Sequence, residues 1–223
     1  MSKLFLDHLF NFVTENKQTL FNQIITERTR HVTVVLENIF QPQNASAVIR
    51  SCDVFGIQDL HVIENDNKYN LNPKVVLGAS KWVNLFKYNR HENNTLNCIN
   101  QLKKQGYKIY ATTPHTNDML ISDVPLDEKC AFMFGTELTG LSETAMQNAD
   151  GFVKIPMYGF TESLNISVSA AILLYEVSKR LKESNINWQL SDEEKIEQLL
   201  IWAKKVVKNS DLIENEFKKK SHS

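Results

Sequence analysis

The chain has 223 residues, of which 42% are hydrophobic and 23% charged, a composition typical of a folded globular protein rather than a disordered one. Its 25 lysines and arginines are balanced by 26 aspartates and glutamates, so the net charge of −1 excludes a basic field over the whole molecule. The longest apolar run, residues 170–175, is far shorter than the roughly 20 residues of a membrane-spanning helix. We therefore expect no membrane segment, and any nucleic-acid site must depend on a local patch.

Cysteine and histidine usage indicates a reducing compartment and no metal. Cys52, Cys98 and Cys130 are widely spaced and form no CxxC pair, which favours buried, reduced thiols in the cytoplasm. The N-terminal segment lacks the apolar core of a signal peptide. Among the six histidines, His115 and His222 included, no pair has the spacing of metal ligands.

Apolar periodicity predicts the elements in chain order. In residues 1–30, apolar positions recur at intervals of three and four, which predicts one or two amphipathic helices. Short apolar and β-branched runs then predict six strands, at residues 31–36, 60–63, 82–88, 107–112, 131–134 and 152–155.

Helices are predicted between and after these strands. Asn44 can cap a helix that runs to Val54, and another helix follows Asn93 and ends at Gly106. Residues 166–181 form a strongly apolar helix, and the capping box of Ser191 and Glu194 begins the next helix.

The alternation of strands and helices predicts an α/β fold with a mostly parallel sheet covered on both faces. The expected organisation is one α/β domain at residues 31–182, with a helical extension at residues 1–30 and another at residues 183–223.

The first candidate site motif is N-x-x-A-x-x-R at residues 44–50. Asn44 lies at the expected helix start, and Arg50 follows six residues later. A guanidinium group offers several donors in a fixed geometry that suits a phosphate or a carboxylate. A solvated helix arginine explains Arg50 as well, because the pattern alone is weak.

The second motif is F-G-x-E-x-x-G-L-S at residues 134–142, directly after a predicted strand. Gly135 permits close backbone approach, and Glu137 is a lone carboxylate just past the strand end. Ligands of open α/β sheets bind outside the carboxyl ends of the strands. Glu137 can therefore contact a ligand or hold the loop through backbone N–H groups.

The third motif covers residues 155–169 and precedes the apolar helix. Ser163 and Asn165 can cap this helix, whose free N–H groups also favour an anion such as a carboxylate. Capping does not explain why Ile155, Met157 and Leu164 crowd the same segment. Their apolar side chains suit a flat ring such as adenine.

The sequence lacks the motifs that are typical of several other enzyme classes. Neither G-x-G-x-x-G nor G-x-x-x-x-G-K-[ST] occurs, which argues against standard dinucleotide and P-loop sites. The G-x-S-x-G motif of α/β-hydrolases is also absent.

Taken in order, the three motifs resemble the SPOUT superfamily of RNA 2′-O-ribose methyltransferases. The resemblance covers Val32–Arg180, includes the G-A-S-K-W run at Gly78–Trp82, and is closest to the tRNA guanosine-2′-O-methyltransferase (TrmH) type. That type methylates the D-loop guanosine at tRNA position 18. The resemblance implies a homodimer whose parallel sheet ends in a C-terminal deep trefoil knot, an exception to the rule that chains avoid knots.

The resemblance also implies a cofactor and site residues. S-adenosylmethionine, which leaves as S-adenosylhomocysteine, is expected in the knot loops, with contacts from Thr112, Gly135, Ile155, Met157 and Leu164.

Three residues are implied to be catalytic. Arg50 would act on the ribose beside the partner's cofactor, Glu137 would shape the site or hold Arg50, and Asn165 would orient the cofactor loop or the ribose. The family assigns Arg50 as general base, whereas a guanidinium is normally a donor only, so a positioning role stays open. Glu162 stands where this type commonly has a neutral glutamine.

The ends of the chain bear on the RNA substrate. Helical extensions at both ends fit the D-loop type better than ribosomal-RNA relatives with a separate RNA-binding domain. Residues 201–223 carry six lysines against three carboxylates, which makes this tail a candidate for binding phosphate groups of RNA. The same residues are equally well explained as a solvated helix face and a disordered end. Other expected substrate contacts are Asn44, Ser163, Lys179, Arg180 and Lys182. A ribosomal-RNA substrate and a nonenzymatic RNA-binding protein of the same fold remain as alternatives.

Overall fold

A computed structural model describes residues 2–67, 71–114 and 118–221. Its strands are Val32–Glu37 (β1), Asp59–Ile63 (β2), Asn84–Tyr88 (β3), Tyr107–Thr112 (β4), Met119–Leu120 (β5), Lys129–Phe134 (β6) and Gly151–Lys154 (β7). They form one sheet in the order β3-β2-β1-β6-β4-β7-β5, and every neighbouring pair is parallel. The predicted α/β class with a parallel sheet is confirmed.

The α-helices of the described residues are Ser2–Phe10 (α1), Glu15–Ile25 (α2), Pro42–Val54 (α3), Pro73–Val76 (α4), Asn94–Lys104 (α5), Glu143–Asn148 (α6), Ile166–Glu183 (α7), Asp192–Val206 (α8) and Ser210–Ser221 (α9). The predicted capping box at Ser191 and Glu194 is present, and the side chain of Asn93 caps α5. The prediction that Asn44 caps α3 is wrong. The helix begins at Pro42, which is pre-organised for the first helical position, and Gln41 is its N-cap residue.

Helices cover both faces of the sheet, as predicted. Alternate residues of a strand point to opposite faces, and the two faces bury different clusters. Leu36 and Phe134 pack on the face that buries apolar residues of α3 and α7. Val35 and Met133 pack on the other face, with apolar residues of α5.

The three cysteines are free and buried, as the sequence predicts. Burial raises the pKa of the Cys130 thiol to about 12, and it also raises the pKa of the Cys98 thiol. Both side chains therefore remain protonated thiols in the core.

The contacts of the chain divide it into two compact units, Thr29–Trp188 and a unit built from both ends, Met1–Arg28 with Gln189–Ser223. Within the latter unit, α1 and α2 pack against α8: the rings of Phe21 and Trp202 lie 5.5 Å apart. The two predicted extensions thus form a single helical unit. The predicted boundaries at residues 30 and 182 stay a prediction.

No helix within the described ranges is long and apolar enough to cross a membrane. Likewise, the described residues contain no group of three or more His, Cys, Asp or Glu that could hold a metal ion. His115 and His222 lie outside the described residues.

Candidate active site

A cavity of about 350 Å³ lies at the carboxyl ends of β4, β6 and β7. Its walls come from the segments that follow these three strands and from the first turns of α7. All five residues expected to bind the cofactor line it: Thr112, Gly135, Ile155, Met157 and Leu164. Glu137 and Ser163 line it as well.

The segment after β6 is a tight loop that only glycine can begin. A Cβ atom at Gly135 would lie 2.1 Å from the carbonyl carbon of Gly140. Thr136 and Gly140 exchange two backbone hydrogen bonds of 2.9 and 3.0 Å, and Gly140 has a φ of +70°. The backbone of Gly135 therefore packs directly against the returning strand of its own loop.

The segment after β7 contributes an apolar wall and a helix cap. Ile155, Met157 and Leu164 line the cavity. Asn165 is the N-cap residue of α7, and its Oδ1 accepts from the backbone N (2.9 Å) and Oγ (2.6 Å) of Ser167. The predicted capping role of Asn165 is thus observed.

Thr112 lines the cavity, and its side chain also forms a hydrogen bond within the sheet. Its Oγ1 donates to the carbonyl oxygen of Met133 at 2.8 Å, which ties the end of β4 to β6. Since this hydroxyl proton is already used, the backbone of Thr112 is the better candidate for ligand contact.

A carboxylate joins the three sequence motifs. Glu137 Oε1 accepts from Asn44 Nδ2 at 2.6 Å and from Asn165 Nδ2 at 2.7 Å. The Nδ2 group of Asn165 also reaches Asn44 Oδ1 at 3.1 Å. We call Asn44, Glu137 and Asn165 the amide–carboxylate cluster. Asn44 is 7% exposed and its amide is bonded to Glu137, and its expected contact with the substrate stays a prediction.

Arg50 lies away from this cluster. It is an exposed residue of α3 and does not line the cavity, and its side chain makes no hydrogen bond or ion pair with any residue that the structure describes. The alternative in which Glu137 holds Arg50 is not observed within this chain, because the asparagines bind Glu137 instead. Val54, 70% exposed, lies one helical turn beyond Arg50 on the same face.

The basic residues expected at the RNA differ in their environments. Lys179 is exposed on α7, whereas Lys182 lies over the ring of Trp188, 5.8 Å from its centroid. Arg180 donates to the carbonyl oxygens of Ile121 (3.0 Å) and Val124 (2.7 Å). These bonds give Arg180 a structural role, and its phosphate contact stays a prediction.

Part of the basic tail is neutralised within its own unit. Glu214 accepts from Lys204 at 2.5 Å and from Lys218 at 2.8 Å, and these bonds lower the pKa of Glu214. Burial also lowers the pKa of Lys205. The described part of the tail forms α9 as far as Ser221, while residues 222 and 223 and the side chains of Lys220 and Ser221 lie outside the described residues.

Sequence reasoning missed several cavity residues. Thr113 and Pro114 follow β4, and Ser169 and Leu173 come from the cavity-facing side of α7. Thr113 and Pro114 could have been found from their position, since both directly follow a parallel strand and ligands bind at the carboxyl ends of such strands.

This chain is similar in sequence to known RNA methyltransferases. Residues 31–175 match the model of the SpoU rRNA Methylase family. A tRNA (guanosine(18)-2′-O)-methyltransferase of Borreliella burgdorferi is 45% identical over 93% of each chain. Another, from Thermus thermophilus, is 32% identical over 86% of this chain and 98% of its own.

Solved structures show the same fold. The crystal structure of a TrmH/SpoU tRNA modifying enzyme of A. aeolicus matches with a TM-score of 0.77 and 28% identity, covering 87% of this chain and 98% of that one. The SpoU methyltransferase AviRb of Streptomyces viridochromogenes, in complex with AdoMet, matches in fold with a TM-score of 0.61 and 23% identity over 73% of this chain and 65% of its own. With a family match over more than half of its residues, this chain belongs to the SpoU methylase family.

Proposed function

We propose that this protein is a tRNA guanosine-2′-O-methyltransferase, which transfers a methyl group from S-adenosylmethionine to the ribose 2′-hydroxyl of guanosine 18 in the D-loop. The observation that carries the proposal is the amide–carboxylate cluster at the edge of the cavity. Binding RNA alone would need no such cluster beside an apolar cavity. The relative with 45% identity over 93% of both chains supports the D-loop substrate.

The cavity fits the proposed cofactor. Gly135 lets the loop fold back tightly on its own backbone, and the folded loop, residues 135–140, forms one wall of the cavity. Ile155, Met157 and Leu164 offer apolar contacts for the adenine ring, and the backbone of Thr112 and Gly135 offers polar ones. When bound, S-adenosylmethionine supplies a methyl group already activated on a sulfonium.

Because the methyl group is already activated, the protein has to position the ribose and assist loss of one proton. Asn44 and Asn165 fix the Glu137 carboxylate beside the cavity. We assign Arg50 to the ribose or its adjoining phosphate as a donor, since a guanidinium group offers only hydrogen-bond donors. The exposure of Arg50 supports this assignment.

We further propose a homodimer in which the partner subunit completes the site. Val168, Ile172 and Tyr175 are 45%, 38% and 57% exposed and form an apolar stripe along α7. Val54 on the adjacent α3 is also exposed. A second copy that covers this surface would lie next to Arg50, one turn from Val54, which accounts for an arginine outside its own chain's cavity.

The trefoil knot is likewise a proposal, derived from the family resemblance. Two observations support it: β7, the last strand in the chain, lies between β4 and β5, and the segments after β4, β6 and β7 converge on one cavity. A tRNA substrate also implies a cytoplasmic location. Lys179 remains the clearest phosphate-binding candidate outside the cavity, because it is exposed and unpaired among the described residues.

The proposed dimer predicts that Ile172→Asp gives a monomer. A charge buried at the centre of an apolar interface costs several kcal/mol, enough to separate the subunits. Analytical ultracentrifugation should show a dimer for the wild type and a monomer for the variant, with methyl transfer lost. Leu212→Asp is the control, because Leu212 is a 63% exposed leucine of α9, and it should leave the dimer and the rate of methyl transfer unchanged. A wild-type monomer with full activity would contradict the proposal.

The proposed reaction is tested with unmodified tRNA transcripts. We expect the radioactive methyl group of S-adenosylmethionine to enter a transcript with guanosine 18, and nucleoside analysis to yield 2′-O-methylguanosine. The same transcript with 2′-deoxyguanosine at position 18 should accept no methyl group, because the target oxygen is missing. Transfer to ribosomal RNA but not to tRNA would favour the alternative substrate.

A further inference from the structure

Glu37, at the end of β1, is a buried carboxylate without an assigned role. It is 2% exposed and forms no ion pair with any described residue. Its Oε1 accepts from the hydroxyl of Thr95 at 2.5 Å and from the hydroxyl of Ser142 at 2.7 Å, and its Oε2 accepts from the backbone N of Ser142 at 2.8 Å. Burial of an ionised carboxylate is unfavourable unless such bonds replace water.

Two of these three bonds go to the far end of the cavity loop. Leu36 is the register partner of Phe134, so the loop leaves β6 directly beside Glu37. The loop ends at Ser142, where the Ser142 hydroxyl caps α6 by accepting from Ala145 N at 3.2 Å. Glu37 therefore fastens the end of the loop to the strand beside which it begins.

The fastened segment, residues 135–141, is the one that forms the cavity wall. Residues 135–140 all line the cavity, and Glu137 of the amide–carboxylate cluster lies among them. The loop's own bridge between Thr136 and Gly140 fixes its internal shape. Those bonds do not fix the position of the loop against the sheet. Asn44 and Asn165 hold its middle through Glu137, and Glu37 holds its end through Ser142.

We propose that Glu37 is a positioning residue for the cofactor: by holding Ser142 it sets the place of the 135–141 loop. The proposal deepens the proposed function, on which the identity of the ligand rests. A carboxylate suits the task because it only accepts hydrogen bonds, and the site presents three donors. A glutamine would turn an NH₂ group toward one or more of these donors.

The test compares Glu37→Gln with Thr95→Val in the unliganded protein. Thr95→Val removes one donor to Glu37 from the α5 side and leaves both bonds to the loop. Hydrogen exchange followed by mass spectrometry should show amides of residues 136–141 exchanging about 10-fold faster in Glu37→Gln and within about 2-fold of wild type in Thr95→Val, as local opening requires. Ser142→Ala, which keeps the backbone donor, should show a smaller acceleration.

The second readout is the dissociation constant for S-adenosylmethionine, measured by calorimetry. We expect it to rise about 10-fold in Glu37→Gln and less than about 2-fold in Thr95→Val, as a displaced wall loses contacts. Thermal unfolding of each variant is measured in parallel. Reduced stability with unchanged loop exchange and affinity would make Glu37 a purely structural residue and overturn the inference.

The two proposals fail separately. A wild-type protein that binds no S-adenosylmethionine refutes the proposed function, whereas the exchange experiment still decides whether Glu37 positions the loop. If Glu37→Gln does not fold, Ser142→Ala decides. Because this variant also loses the cap of α6, the loop amides are compared with those of α6: a larger acceleration in the loop with weaker cofactor binding supports the inference, and wild-type values for both overturn it.

Discussion

Arg50→Ala is expected to lower the rate of methyl transfer by at least about 100-fold, the usual effect of removing one charge-stabilising or proton-transfer group. Cofactor affinity should stay within about 3-fold of wild type, because a residue that acts only in the transition state does not add to ground-state binding. The structural reason is that Arg50 does not line the cavity of its own chain. Single-turnover transfer to unmodified tRNA and calorimetry with S-adenosylmethionine measure the two quantities.

Arg50→Lys and Asn165→Ala are the matched comparisons. Lysine keeps the positive charge but not the planar donor geometry, so its rate should lie between those of wild type and Arg50→Ala. Asn165→Ala breaks the bonds to Glu137 and the cap of α7, and should weaken cofactor binding as well as transfer. The assignment of Arg50 is wrong if Arg50→Ala transfers methyl at the wild-type rate, or if it loses cofactor binding while Asn165→Ala retains it.

The sheet and the longer helices were predictable from local signals. Strand β1 is buried at every position, and its β-branched run has no other explanation than a strand covered on both faces. The caps of α5 and α8 were also predictable, because the side chains of Asn93 and Ser191 bond to backbone N–H groups only three residues away.

Elements that depend on distant contacts were not predictable. Strand β5 has only two residues and exists through pairing with β7, so no periodicity reveals it. At α3, the preference of proline for the first turn outweighed the capping preference of Asn44. The union of the two chain ends into one helical unit rests on non-local packing such as that of Phe21 against Trp202.

The site divides in the same way. The resemblance of the three motifs to the SPOUT superfamily implied that Asn44, Glu137 and Asn165 belong to one site, and the structure brings them within hydrogen-bond distance. Which partner holds Glu137 could not be predicted, because a carboxylate accepts equally well from an asparagine or an arginine. The phosphate contact expected of Arg180 rested on its charge, and the sequence could not show that carbonyl oxygens 56 and 59 residues away accept hydrogen bonds from its guanidinium.

Gly135→Ala is expected to raise the dissociation constant for S-adenosylmethionine by about 10- to 100-fold. A methyl group at this position meets the backbone of Gly140 and Leu141 at 2.1 to 2.3 Å, so the cavity loop must move. Overpacking of this kind typically costs about 1–3 kcal/mol. Because the displaced loop is a wall of the binding site, we expect a cost of this size to appear as the stated rise in the dissociation constant.

Gly159→Ala is the matched control for this change. Gly159 lies in the segment after β7, and the nearest atom to a Cβ there would be the backbone N of Thr161 at 3.9 Å, an ordinary contact. Its cofactor affinity should equal that of wild type. Calorimetry on both variants, with thermal unfolding to establish that each is folded, makes the comparison. Equal, wild-type affinity in a folded Gly135→Ala protein would mean that the cofactor does not use the wall formed by the 135–140 loop, and the cavity would then not be its binding site.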